Sequence, residues 1–372
     1  MPAVVVVGGG VMGASIAYHL SAAGVDDVVL YERHRLASGP TGRSTAVVRL
    51  HYSQPLLVRM AAHGLRLYSS FRASVGTGSG FTRTGLLVAA PEAERAALER
   101  NVAVGKGEGA VMELLSADQV EEVEPRIVRE GLAFAFEPEA GYCDPYLVTA
   151  GFAAAARRTG VRIEEGTAVE SLPELDADAV VVAAGPWSPA LLRQVGYELP
   201  LRAARAEVGR YRLSADFGSP PPAFADFSTA LYAVPRESGI LEVGTLDPTH
   251  AEKPIDPDAC PEGAEPETLA AYRNGLVTRL DGADGGHWRG SWSAVYDVTP
   301  DWKPAIGFVA EGVVVAAGFS GHGFKLAPAV GTAVAELVRD GVSSSYDLGL
   351  LDPSRFERGE LVTPTYGYSV LG

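Results

Sequence analysis

One histidine and one lysine are set among three glycines in GFSGHGFK, residues 318 to 325. Glycines let backbone N–H groups approach a ligand closely, lysine adds positive charge, and histidine can donate or accept a proton. That combination suits an anion or a ring that becomes anionic. A second set lies at the other end of the chain, where Gly8, Gly10 and Gly13 have GxGxxG spacing and Glu32 follows 19 residues past Gly13. Gly8 permits a tight turn, Gly10 lets a pyrophosphate approach the backbone, and Gly13 allows close helix packing. Glu32 can accept hydrogen bonds from both ribose hydroxyls of an adenosine and would repel a 2′-phosphate, which favours FAD or NAD over NADP.

Both sets need a strand ending where a helix begins. AVVVV, residues 3 to 7, is a β-branched run of the length of a buried parallel strand; ASIAYHLSAA, 14 to 23, has Ile16 and Leu20 on one helical face, and DVVLYE supplies a second strand. GVVVAAG precedes Gly318 as another buried strand, and LAPAVGTAVAELVRDG reads as a helix ended by Gly341. Residues 318 to 325 therefore lie at a strand's carboxy end and a helix's amino end, where ligands collect and the helix dipole and Lys325 stabilise negative charge. ADAVVVAAG repeats the pattern, ending at Ala184 and Gly185. YLVTAGFAAAARRT predicts a helix ended at Gly160, and LLVAAP, GRYRLSA, LYAVPR and GILEVGTLD suit a mostly antiparallel sheet. Residues 247 to 267, rich in Pro, Asp and Glu, read as an exposed excursion.

Composition narrows the class. Lys and Arg number 31 against 46 Asp and Glu, a net charge of −15, which opposes nucleic-acid binding and makes individual cations matter for any anionic ligand. Cys143 and Cys260 are too few and too far apart for a disulfide framework or a zinc site, so no metal is expected. No apolar run reaches about 18 residues, and the apolar start lacks a basic leader region; a cytoplasmic protein with no membrane partner, monomer or homodimer, is expected.

SGPTGRSTAVVR, 38 to 49, and TPDWKPAIG with the following GVVVAAGFSGHGFKLAPAVG make the sequence resemble the D-amino-acid oxidase superfamily of flavoproteins, closest to its sarcosine oxidase, dimethylglycine dehydrogenase and glycine oxidase branch. The motifs occur in the family's order and cover about a third of the residues. The resemblance implies an α/β fold: a Rossmann-like FAD-binding domain of glutathione-reductase type, with an interleaved α+β substrate domain on a mostly antiparallel sheet. The expected ranges are 1–84, 141–209 and 291–372 for the FAD-binding domain, and 85–140 and 210–290 for the capping domain.

It also implies that FAD contacts Gly8, Gly10, Val11, Met12, Gly13, Glu32 and Arg33. Thr41, Gly42, Arg43, Ser44 and Thr45 would wrap it. Val169 would meet the adenine, and Ala184, Gly185 and Trp187 would run behind the pyrophosphate. Gly318, Gly321, His322, Gly323, Phe324 and Lys325 would border the ring. Arg49 and Lys325 would clamp a substrate carboxylate, with His322 beside the flavin as a third catalytic residue and His51, Tyr52, Glu242 and Tyr296 as pocket wall.

Departures from the branch carry expectations too. Ala294 stands where monomeric sarcosine oxidases carry a flavin-linking cysteine, so FAD is expected to be non-covalent. Glu242, or Leu241 with a one-residue slip, stands where those oxidases place an oxygen-activating lysine, and Ala46 where some carry a further arginine. The expected reaction is oxidation of the C–N bond of an amino acid or N-methyl amino acid to a hydrolysable imine, with H2O2 formed if O2 is the acceptor. A dehydrogenase with another acceptor, an FAD-dependent 2-hydroxy acid dehydrogenase using His322 as base, and a non-catalytic flavin binder remain open.

Overall fold

The computed structural model describes residues 4–363; residues 1–3 and 364–372, the outer ends of the expected domain ranges, lie outside them. Strand Val4–Val7 is buried at all four positions because it has neighbours on both sides and is covered on both faces. It lies inside a six-stranded sheet whose spatial order is Ala305–Ala310, Val313–Ala317, Ala179–Val182, Val4–Val7, Val28–Glu32 and Arg162–Glu165. Every neighbouring pair is parallel except the edge pair Ala305–Ala310 and Val313–Ala317. Gly8, Ala183 and Gly318 thus leave adjacent strands on one edge of the sheet.

Small residues let the covering helices approach. A Cβ on Gly13 of helix Val11–Ala22 would lie 1.9 Å from the Gly8 carbonyl oxygen. A Cβ on Gly331 of helix Gly323–Asp340 would lie 2.5 Å from Ser15 Oγ, which donates to the Ala327 carbonyl at 2.7 Å. Gly341 caps that helix with a φ of 77°, and Gly160, with a φ of 96°, follows helix Pro145–Arg158, as the sequence predicts.

The second sheet has eight strands, in the order His287–Val298, Arg202–Arg212, Ile240–Thr245, Leu231–Arg236, Ala223–Asp226, Leu86–Pro91, Leu132–Glu137 and Glu113–Leu115. One pair, Ala223–Asp226 with Leu86–Pro91, is parallel, and the rest are antiparallel. Helix Pro266–Arg279 covers this sheet through Tyr272 and Leu276. Strands Arg202–Arg212 and His287–Val298 straddle the expected boundaries at 209/210 and 290/291 and pair with this sheet along their length. Among the described residues no helix is long and apolar enough to cross a membrane.

Strand His287–Val298 runs into the TPDWKP turn, which an internal ion pair fixes. Arg355 donates to Asp301 through Nε at 2.9 Å and Nη2 at 3.0 Å, and the same Nη2 reaches the Lys303 carbonyl at 2.8 Å. Both partners are buried. The turn holds Trp302 at a φ of 60°, in the left-handed region that a bulky residue adopts only under constraint, with its ring packed against Ala204, Ala251 and Val298. Removing one partner leaves the other charge stranded, so Arg355→Met is expected to lower stability by about 3–5 kcal/mol. Urea denaturation checks this: a lower midpoint at unchanged slope is expected, and an unchanged midpoint contradicts the structural role.

Candidate active site

The carboxy ends of the parallel strands and one face of the eight-stranded sheet enclose a cavity of about 770 Å³. At one end lies the glycine turn. Gly9 N–H donates to Glu32 Oε2 at 2.7 Å and His34 N–H to Oε1 at 2.8 Å, so the carboxylate is fixed beside the turn. Cβ atoms on Gly8 and Gly9 would lie 2.4 Å from the Ala183 carbonyl oxygen and 2.7 Å from Glu32 Cβ, which keeps these positions bare. Val11 N–H, in the first turn of its helix, points at Thr41 Oγ1 at 3.1 Å.

Of the residues expected around a dinucleotide, Gly8, Gly10, Val11, Met12, Glu32, Arg33 and Thr41 line the cavity, as do Arg43, Ser44, Thr45, Val169, Ala184, Gly185 and Trp187. At the far end Gly321, His322, Gly323, Phe324 and Lys325 line it. Gly13, Gly42 and Gly318 do not, and each has a packing reason. Gly13 seats the helix; a Cβ on Gly42 would strike the Ala37 carbonyl at 2.2 Å; Gly318, at a φ of 75°, donates its N–H to Asp297 Oδ2 at 2.7 Å. Burial pushes the Asp297 carboxyl up to about 6 against the hydrogen bonds it accepts. Val169 follows strand Arg162–Glu165 in a loop and belongs to no strand.

The excursion at 247–267 does more than project into solvent. Pro257 and Asp258 line the cavity, and Asp258 accepts hydrogen bonds from Arg33 Nη2 at 2.7 Å and Trp187 Nε1 at 3.0 Å while Arg33 lies 4.1 Å over the Trp187 ring. Its acidic composition reads as a solvated loop, and its partners, 225 and 71 residues away, leave no local trace. The loop is a strap across the glycine-rich end.

At the other end the cations gather. Arg49 lines the cavity, lies 4.8 Å over the Tyr52 ring and donates to the His51 carbonyl. Lys325, in the first turn of its helix, is buried, and burial with the neighbouring Arg49 holds its amine well below the usual lysine range. His322 is buried with Nδ1 3.3 Å from Tyr52 Oη; burial, with Lys303, Lys325 and Arg49 nearby, holds the ring well below 6.5 and neutral at neutral pH. Tyr296 lines the cavity and a Cβ on Gly321 would lie 3.3 Å from its ring.

Three expected wall residues lie elsewhere. Glu242 shares a sheet face with Val234 and Tyr232, but Arg236 holds its carboxylate through Nη2 at 2.6 Å and Nε at 2.9 Å and it does not line the cavity. His51 is buried behind Arg49, with Nε2 3.4 Å from Asn101 Nδ2, and burial drives it down to about 3. Tyr52 does not reach the cavity wall but backs His322. Strand Leu231–Arg236 supplies the wall instead, through Tyr232, Ala233 and Val234.

Two charged residues here escape sequence reasoning. Glu137, buried at the end of its strand, faces Arg49 and Lys325. Lys303, 1% exposed, lies near Arg49 and His322 and is lowered to about 8 by burial and by Arg49. Lys303 stands inside TPDWKP, so a signal existed, a lysine in a motif read only for its prolines and glycine. Glu137 had none beyond a carboxylate in the apolar run LAFAFE.

A family model described as FAD dependent oxidoreductase (DAO) matches residues 3–337, and the chain belongs to that family. It is 31% identical to 4-methylaminobutanoate oxidase (formaldehyde-forming) of Paenarthrobacter nicotinovorans over 95% of this chain, spanning 45% of that protein. It is 27% identical to monomeric sarcosine oxidase of Bacillus sp. (strain B-0618), over 95% of each chain. The fold matches that of L-proline dehydrogenase from P. horikoshii with a TM-score of 0.86 at 26% identity, over 97% of this chain and 99% of that one.

The protein is therefore an FAD-dependent oxidoreductase. Its cavity fits that cofactor: bare glycines at one end, a fixed carboxylate for a ribose, and glycines with a helix amino end at the other. Asp258→Ala is expected to weaken FAD retention by about threefold to tenfold, since the strap loses two partly exposed hydrogen bonds. The checking measurement is flavin released on dilution, read by fluorescence; retention equal to that of the parent protein would mean that the strap does not hold the cofactor.

Proposed function

We propose that the protein oxidises the C–N bond of an amino acid or N-methyl amino acid whose carboxylate binds Arg49 and Lys325. The observation that carries this reading is the convergence of those two cations on one end of the cavity, beside neutral His322 and the first turn of helix Gly323–Asp340. Arg49 can take a carboxylate with two parallel hydrogen bonds and Lys325 adds a point charge, an arrangement needed in a chain of net charge −15.

Bound FAD supplies the two-electron oxidant. The clamp would hold the substrate with a carbon next to its nitrogen toward that oxidant, while Tyr296, Tyr232 and Phe324 exclude water. The unprotonated amine loses a hydride and a proton, and the imine takes up water to release a carbonyl compound and an amine. The electrons leave to O2, giving H2O2, or to another acceptor. The relatives are named for oxidising methylaminobutanoate, sarcosine and proline, all amines bearing a carboxylate, which supports this substrate class. A 2-hydroxy acid would need a base to take its hydroxyl proton, and a histidine among three cations is a weak one. Two unpaired cysteines accord with the cytoplasmic compartment that we propose.

Mixing the FAD-loaded protein anaerobically with amino acids, N-methyl amino acids and hydroxy acids is expected to bleach the flavin band with an amine only. Recovery in air then separates an oxidase from a dehydrogenase. Arg49→Met is expected to raise KM by about 100-fold while the bound-flavin spectrum persists. An unchanged KM would overturn the clamp, and bleaching by hydroxy acids alone would overturn the amine reading.

A further inference from the structure

Glu137 ends strand Leu132–Glu137, is 2% exposed and does not line the cavity. Its Oε2 accepts the Leu50 N–H at 2.7 Å, the His51 backbone N–H also stabilises the carboxylate, and Oε1 lies 3.8 Å from His51 Nδ1. Arg49, His51 and Tyr52 face it from the turn after strand Val47–Val48, and Lys325 from helix Gly323–Asp340. Asn101 of helix Arg95–Gly107 reaches His51 from behind. A carboxylate buried this deeply needs positive neighbours, and its cations are the two that the proposed function assigns to the substrate.

We propose that Glu137 is the resident counter-ion of the Arg49 and Lys325 clamp, a positioning residue that takes up a proton from solvent when a substrate carboxylate enters. This rests on the clamp reading above. Two carboxylates beside the same pair of cations repel each other, and the more deeply buried one is the one that neutralises. The exchange keeps the charge of the cluster constant, so the incoming anion meets cations that no longer have to share a second one.

The direction of the pH effect follows. Burial raises Glu137 to about 7, against Arg49 and Lys325, and the ligand's charge raises it further. As pH climbs through about 7 the free protein loses this proton, and ligand binding, which favours the protonated form, weakens. His51, lowered to about 3, and Tyr52, raised to about 12, keep their state across that window. Lys325 and Lys303 are depressed cations whose deprotonation weakens anion binding in the same direction, so the contribution of Glu137 must be isolated by substitution.

Propionate, a carboxylate with no amine to oxidise, is titrated into the FAD-loaded protein between about pH 6 and pH 9, with the flavin absorbance as readout. Parent and Glu137→Gln affinities are expected to agree near pH 6. Near pH 8.5 Glu137→Gln is expected to bind about tenfold more tightly, a difference equal to one unit of pKa displacement in the parent. Glu137→Asp should restore the parent slope. Parallel profiles of parent and Glu137→Gln would overturn the proposal. So would a parent affinity that does not fall between pH 6 and pH 8.5, a result that needs no variant to fold. Propionate that leaves the spectrum unchanged at every pH would instead overturn the clamp reading, and this proposal with it.

Discussion

Burying positive charge is costly, and this protein collects Arg49, Lys325 and Lys303 around one histidine in the low-dielectric gap between two sheets. Much of the surrounding architecture manages that cost. Glu137 supplies negative charge from the end of the capping sheet, and Asp301 steadies the turn that carries Lys303 while Arg355 occupies both of its carboxylate oxygens. Burial and mutual repulsion lower the two lysines, so an anion that arrives from outside is favoured beside them.

Those neighbours come from distant parts of the chain. Arg49 follows a two-residue strand, Glu137 ends a strand of the eight-stranded sheet, and Lys325 and His322 sit at the helix leaving the parallel sheet. Strands Arg202–Arg212 and His287–Val298 make the assembly possible, because His287–Val298 passes from the capping sheet directly into the Thr299–Lys303 turn beside Ser320 and His322. The site is thus framed by continuous backbone from both sheets, and a displacement of either one moves the cations relative to the glycine turn.

How far the sequence discloses this depends on whether a signal is local. The strand, turn and helix around Gly8, Gly10 and Gly13, and the helix ended by Gly341, are legible because each constraint acts within a few residues: a carbonyl 1.9 Å from an absent Cβ, or a positive φ at a helix end. The sheet pattern of GILEVGTLD is legible for the same reason. Its facing is not. Glu242 and Leu241 alternate sides of the pleat, and although Glu242 shares the face of Val234 it is Arg236, on the neighbouring strand, that engages its carboxylate. His51 and Tyr52, expected as wall residues, each back one instead, Arg49 and His322. The strap is illegible because Asp258 finds Arg33 and Trp187 only after folding.

Glu137 marks the limit of motif reasoning most clearly. In LAFAFE it looks like the polar end of a strand, and its strand alternation alone would allow either solvent or core. What decides is the depth of the neighbouring cations: a carboxylate placed there in their absence would be protonated or the strand end would open, whereas beside Arg49 and Lys325 it becomes the element that lets two cations remain buried with no ligand. An Arg and a Lys buried together without an anion would repel each other and push the lysine toward its neutral form, so a pocket built to receive a carboxylate has reason to carry one of its own.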